Sequence, residues 1–114
     1  MTKDELHEAA LALPGATFDV KWGADHVYSV GGKMFAATDV AGTSLGFKAT
    51  DIAFDVLTET GRAKPSKYLA RAKWVTIEDL ASEDPAEVID WVRTSHGLVA
   101  AKLPKKAQRE LGLA

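Results

Sequence analysis

The stretch HVYSVGGKMFAAT, residues 26–38, decides the fold, and it reads as a β-hairpin. Two runs rich in β-branched and aromatic residues flank Gly31-Gly32. That dipeptide tolerates positive φ at both positions, which favours the primed turns whose twist matches paired strands. A two-residue loop then sets the register: Val30 opposite Lys33, Ser29 opposite Met34, Tyr28 opposite Phe35 and Val27 opposite Ala36. Tyr28, Val30 and Phe35 share the core face, and Val27, Ser29 and Met34 form the outer face. A lone hairpin is marginal in water, so the flanking elements must cover it.

Upstream, Thr2 and Glu5 make a capping box, with Leu6, Ala9, Ala10 and Leu13 following at helical spacing. A helix is expected from about Lys3 to Ala12, ended by Pro14-Gly15. Thr17 to Trp22 alternates, placing Phe18, Val20 and Trp22 on one side of a half-buried first strand, and Gly23-Ala24-Asp25 turns the chain into the hairpin. Downstream, Ser44–Lys48 is a short strand with Leu45 and Phe47 pointing the same way. Thr50 caps a second helix whose stripe is Ala53, Phe54, Val56 and Leu57, and Gly61 is placed to stop it. Pro65 demotes the next segment to loop or edge strand. Tyr68-Leu69 and Trp74–Ile77 read as two more short strands. Asp84-Pro85-Ala86-Glu87 starts a long helix with cap, Pro and Glu in their favoured places, its buried side marked by Val88, Trp91, Val92, Leu98 and Val99. Gly97 within it suggests close packing, and Lys105 to Leu111 forms a last short turn. The order α-β-β-β-β-α-β-β-α describes one α+β domain over residues 1–114, a mainly antiparallel sheet with helices packed on it.

With 46% hydrophobic and 26% charged residues the chain has an ordinary globular composition. It lacks cysteine, so thiolate and disulfide chemistry are excluded. Asp4, Glu5 and Glu8 stand where a signal peptide needs positive charge, and no run reaches a membrane span, so a cytoplasmic protein without membrane contact is expected. The net charge of −2 conceals segregation. Residues 1–61 carry −5; residues 62–77 carry +5 from Arg62, Lys64, Lys67, Arg71 and Lys73; residues 78–90 carry −6 and residues 91–114 carry +4. Such blocks either pair with one another in the fold or leave a basic face on an acidic protein.

No catalytic pattern emerges. His7, His26 and His96 have no partner at ligand spacing. The pairs Asp4-Glu5, Glu78-Asp79 and Glu83-Asp84 sit at helix starts or loops, as solvating groups do. Gly42-Thr43-Ser44-Leu45-Gly46 misses the nucleophile elbow by spacing, and Gly31-Gly32 precedes no helix that would cradle a phosphate. The expectation is a non-enzyme with no cofactor and no metal. Trp22, Tyr68 and Trp74 lie among Lys21, Lys67, Arg71 and Lys73, and exposed aromatics beside bases can stack on nucleobases and grip phosphates. The competing reading makes the tryptophans core residues with a polar partner for the indole.

Leu13-Pro14-Gly15, Trp22-Gly23, Val30-Gly31-Gly32-Lys33-Met34-Phe35-Ala36, Lys48, Trp74 and Ala101-Lys102-Leu103-Pro104-Lys105-Lys106 together resemble the MmcQ/YjbR family of small bacterial proteins. The resemblance implies a CyaY-like α+β fold of double-wing arrangement and a role in DNA binding. The chain departs from the family pattern before Trp74, where Ala70 and Lys73 replace a polar Asn and His. The acidic ridge with which true frataxins bind iron is not matched. Two functions stay open. One is a monomeric, non-catalytic DNA-binding protein using Arg62, Lys64, Lys67, Arg71 and Lys73, joined by Lys105 and Lys106. The other is a module for a small molecule or a protein, using the outer sheet face or a groove beside Trp22 and Trp74.

Overall fold

The computed structural model describes residues 1–23, 25–67 and 69–113; Ala24 of the expected turn and Tyr68 lie outside the described residues. Helix α1 (Lys3–Leu11) starts at the expected capping box, with the Thr2 and Glu5 side chains each bonded to the other's backbone N–H. Strands β1 (Ala16–Lys21), β2 (Asp25–Val30), β3 (Lys33–Thr38) and β4 (Leu45–Lys48) follow. Then come helix α2 (Asp51–Glu59), the two-residue strand β5 (Lys64–Pro65), strand β6 (Trp74–Ile77), helix α3 (Pro85–Ala100) and the short helix α4 (Lys105–Glu110). The strands form one antiparallel sheet of six in the order β1-β2-β3-β4-β6-β5. This is the α+β architecture expected from the sequence.

The turn forms as read, with Gly31 at φ 57° and Gly32 at φ 77°. A side chain at Gly31 would also collide with Leu103, 2.6 Å from the position of its Cβ. The register holds for Val30 with Lys33 and Ser29 with Met34, then slips: Tyr28 pairs with Ala36 and Val27 with Ala37. Phe35 is the extra residue of a β-bulge, so the expected pairings of Tyr28 with Phe35 and Val27 with Ala36 are replaced. The core assignment survives the slip, because Tyr28, Val30 and Phe35 are all buried. They pack with Leu45, Phe47, Val75 and Ile77 against Leu6 and Ala10 of α1 and Val88 and Val92 of α3.

Other expectations are corrected. Val20 and Trp22 are 57% and 68% exposed: β1 is the edge strand, and its far end carries the alternation beyond what the helices cover. Trp22 leaves the strand altogether at φ 51°. On α2 only Leu57 is buried, and Val56 is exposed. Leu69 lies in a turn rather than a strand, followed by a single 3-10 turn over Ala70–Ala72. Gly97 has open space where a Cβ would stand, so close packing does not account for it.

Because directly opposed residues share a sheet face, Thr17, Asp19, Val27, Ser29, Met34, Ala37, Gly46, Thr76, Lys48 and Trp74 all lie on the side opposite the core. Val27 and Ser29 are nevertheless buried, so the middle of this outer face is not the solvent-exposed surface that the hairpin pattern suggested.

Candidate nucleic-acid interface

The β3–β4 ladder ends early. Pairing runs from Thr38–Leu45 to Ala36–Phe47, and the next rung, between Phe35 and Lys48, is missing because of the bulge. Ser95 of α3 fills the gap: its hydroxyl donates to the Phe35 carbonyl at 2.6 Å and accepts from the Lys48 N–H at 2.9 Å. Met34 and Lys48 follow on either side of this splice, and Val99 near the C-terminal end of α3 lies beside them. Between Met34, Trp74, Val99 and Leu103 is a cavity of about 350 Å³, with Lys33, Lys48 and Lys102 around it.

Two further depressions adjoin this one and share residues with it. On one side Lys48 and Lys102 also line a basin with Arg71, Lys73 and the start of α2, where Thr50 and Asp51 contribute, Asp51 being its one acid. The 3-10 turn that carries Arg71 is anchored there: Lys48 Nζ donates to the Ala72 carbonyl at 2.6 Å, and the Ala49 N–H donates to the Lys73 carbonyl at 2.8 Å. This anchoring holds Lys73 in the left-handed region at φ 64°, with its ammonium 4.9 Å from the centre of the Phe54 ring. Burial, and then the neighbouring charge of Lys102, lower the pKa of Lys48, while Asp51 acts in the opposite direction. On the other side Met34 and Trp74 continue into a groove along the outer face, floored by Ala37, Gly46 and Thr76 and flanked by Trp22 and Lys67. Asp39 also lines this groove. Although burial opposes it, hydrogen bonds from Thr43 and Ser44 hold its carboxyl below the ordinary range.

The basic segment is therefore divided. Arg62 donates to both carboxylate oxygens of Glu87 at 2.9 Å and to Glu83 at 3.1 Å, and it lies 5.1 Å over the Trp91 ring. Lys64 pairs with Glu78 at 2.7 Å. These two bases are paired with the acidic block 78–90 around a separate depression. Lys67 sits at the groove, whereas Arg71 and Lys73 join Lys48 and Lys102, which the segment's composition did not include. Lys105 and Lys106 are exposed at the start of α4, immediately after Pro104, a lining residue of the cavity. Trp74 is 6% exposed and Trp22 68%, so the two tryptophans divide between the two expectations, one packed into the sheet surface and one free to stack.

The histidines serve packing. His7 Nδ1 lies 2.8 Å from the Tyr28 hydroxyl, His96 Nε2 lies 2.7 Å from the Pro14 carbonyl, and His26 meets Phe18 edge to face. Among the described residues no three His, Asp or Glu side chains group in a way that could hold a metal ion, and no helix is long and apolar enough to cross a membrane. Ser95 is the residue of this surface that the sequence reading passed over, and Lys48 and Lys102 were noted there only as part of the resemblance.

A crystal structure of the Deinococcus radiodurans protein DR2400, a DUF419 domain, superposes with a TM-score of 0.87 at 24% identity, covering 99% of this chain and 89% of that one. No curated protein matches the chain. The YjbR family model matches residues 11–98, which include the hairpin, the bulge, Lys48, Trp74 and Ser95, and the chain belongs to the YjbR family.

Proposed function

We propose that this protein binds nucleic acid through the outer sheet face, with phosphates on the Lys48–Arg71–Lys73–Lys102 basin and unpaired bases or a groove wall against Trp22. The observation that carries the reading is the continuity of the surface. Four cations from three distant parts of the chain line one basin, and the adjoining cavity and groove lead from it to an aromatic that is 68% exposed. Phosphate contact of this kind is sequence-tolerant and supplies most of non-specific affinity. Of the acids of 78–90, Glu78, Glu83 and Glu87 are engaged with Arg62 and Lys64, and none of the block lines the basin, whose one acid is Asp51. The basin is left positive in a protein of net charge −2, which favours docking by this face alone.

Fluorescence anisotropy with labelled duplex and single-stranded DNA tests the reading. About four phosphate contacts predict a slope of log K against log salt of about −3 to −4 on duplex, and a Kd of about 1–100 μM at moderate salt. A Gly46→Leu change serves as a second probe. Its Cβ would meet only ordinary van der Waals contacts at 3.8–3.9 Å and its φ is not in the left-handed region, so a side chain there starts into the groove. Circular dichroism of the variant checks that the fold is kept. The change should weaken single-strand binding more than duplex binding. Absence of binding at low salt, or binding indifferent to salt, excludes the proposal.

A further inference from the structure

We propose that the cavity bounded by Met34, Trp74 and Leu103 is a binding site for a small amphipathic anion, an apolar body carrying a carboxylate or phosphate gripped by Lys33, Lys48 and Lys102. This goes beyond the nucleic-acid reading and does not rest on it. At about 350 Å³ the cavity is at the lower end of the roughly 300–1,000 Å³ of small-molecule sites. Its bed is apolar, and its lining includes three lysines and no acid.

None of Lys33, Lys48 and Lys102 forms an ion pair among the described residues, in contrast to Arg62 and Lys64. Lys48 gives one N–H to the Ala72 carbonyl, leaving two donors for a ligand. The like charges of Lys48 and Lys102 are close enough to disfavour one another. An anionic group between them reverses that repulsion and makes charge-assisted hydrogen bonds, while its apolar body covers the Met34 and Trp74 side chains. A neutral ligand leaves the repulsion in place, and a cation adds to it.

The cavity is also built into the fold. It lies where the Phe35 bulge ends the ladder and Ser95 bridges the two strands. Leu103 is fixed against Gly31 on the other side. Its strand and helix walls are set by the core, and the connection from α3 to α4 that supplies Lys102 and Pro104 is held through the buried Leu103, as a largely pre-formed site requires.

The test is an NMR titration of the full chain, observing the Met34 methyl and Trp74 indole signals, with octanoate, octyl phosphate, 1-octanol, octylammonium and inorganic phosphate. Octanoate and octyl phosphate should give saturable shifts at both reporters and bind at least about tenfold more tightly than 1-octanol. Lys48→Gln with Lys102→Gln should remove that preference and leave 1-octanol binding unchanged; Lys102→Gln alone, at an exposed position, should reduce it partially. Equal binding of octanoate and octanol, binding of octylammonium, or no saturable shift at Met34 and Trp74 would overturn the assignment. So would inorganic phosphate matching octyl phosphate, or an acidic amphipathic peptide outcompeting octanoate, which would indicate a surface anion site or a protein partner respectively. Failure of DNA binding in the anisotropy experiment leaves these outcomes unaffected.

Discussion

The Ser95 hydroxyl lies 2.6 Å from the Phe35 carbonyl, sixty residues earlier in the chain, and joins helix α3 to the bulge of the central hairpin. Ser95 is 0% exposed, and its oxygen also receives the Lys48 N–H, so one side chain satisfies two backbone groups that the broken ladder leaves over. Ser95→Ala removes both bonds and leaves a buried carbonyl and a part-buried N–H without partners, a loss of about 1–3 kcal/mol. Urea denaturation should show a lower midpoint with an unchanged m-value. Loss of less than about 0.5 kcal/mol would mean that β3 and β4 close the gap by themselves.

The two tryptophans of the outer face should respond in opposite ways. Trp74 is 6% exposed, and its removal should cost about 3–5 kcal/mol. Trp22 is 68% exposed, so Trp22→Ala should stay within about 1 kcal/mol of wild type while weakening single-strand binding. Thermal unfolding and anisotropy on the same two variants separate these effects. A large loss of stability at Trp22 would return it to the core and remove the stacking surface.

What could be read in the sequence, and what could not, follows the range of the interactions involved. The caps at Thr2, Thr50 and Asp84 and the turn at Gly31-Gly32 are decided within a few residues, and each lies where local chemistry placed it. The bulge at Phe35 is stabilised by Ser95, and nothing in residues 26–38 signals it. Alternation in Thr17–Trp22 indicates a strand but not how far the helices extend over it, so it placed Trp22 with Phe18 on one side without deciding between a core residue and an exposed one. The basic segment 62–73 reads as one block, yet pairing with Glu78, Glu83 and Glu87 separates Arg62 and Lys64 from Arg71 and Lys73. Lys48 and Lys102 join the latter pair only through tertiary packing, which charge counting along the chain cannot detect.

Tyr28 gives the fold a defined alkaline limit. Burial disfavours its phenolate and pushes its pKa from 10 up to about 12. In the unfolded chain the group ionises near its ordinary value, so its contribution is fully present below about pH 10 and is lost progressively as pH rises towards 12. Urea midpoints at pH 9 and pH 11 should therefore fall more for wild type than for Tyr28→Phe. The variant shares the titration of the lysines and of Tyr68 but lacks the Tyr28 phenol, and with it the contact to His7 Nδ1. Parallel midpoints for the two proteins would show that Tyr28 ionises without unfolding pressure.

The division of the basic segment makes the sharpest test of the proposed interface. Lys64 is paired with an acid and Arg62 with two. Their charges are already offset, and Lys64→Gln should leave both DNA affinity and salt slope unchanged. Arg62→Gln would release Glu83 and Glu87 and take the cation from above Trp91, so its effect should fall on stability rather than on binding. Arg71 and Lys73 make no ion pair among the described residues and line the basin with Lys48 and Lys102. Arg71→Glu with Lys73→Glu should abolish measurable binding, and Lys48→Gln or Lys102→Gln should each reduce the slope of log K against log salt by about 0.9. Charge counting alone predicts equal effects from all of the segment's bases. Equal losses from Lys64→Gln and from neutralising Arg71 would show that the protein responds to total charge, and that the basin has no privileged role.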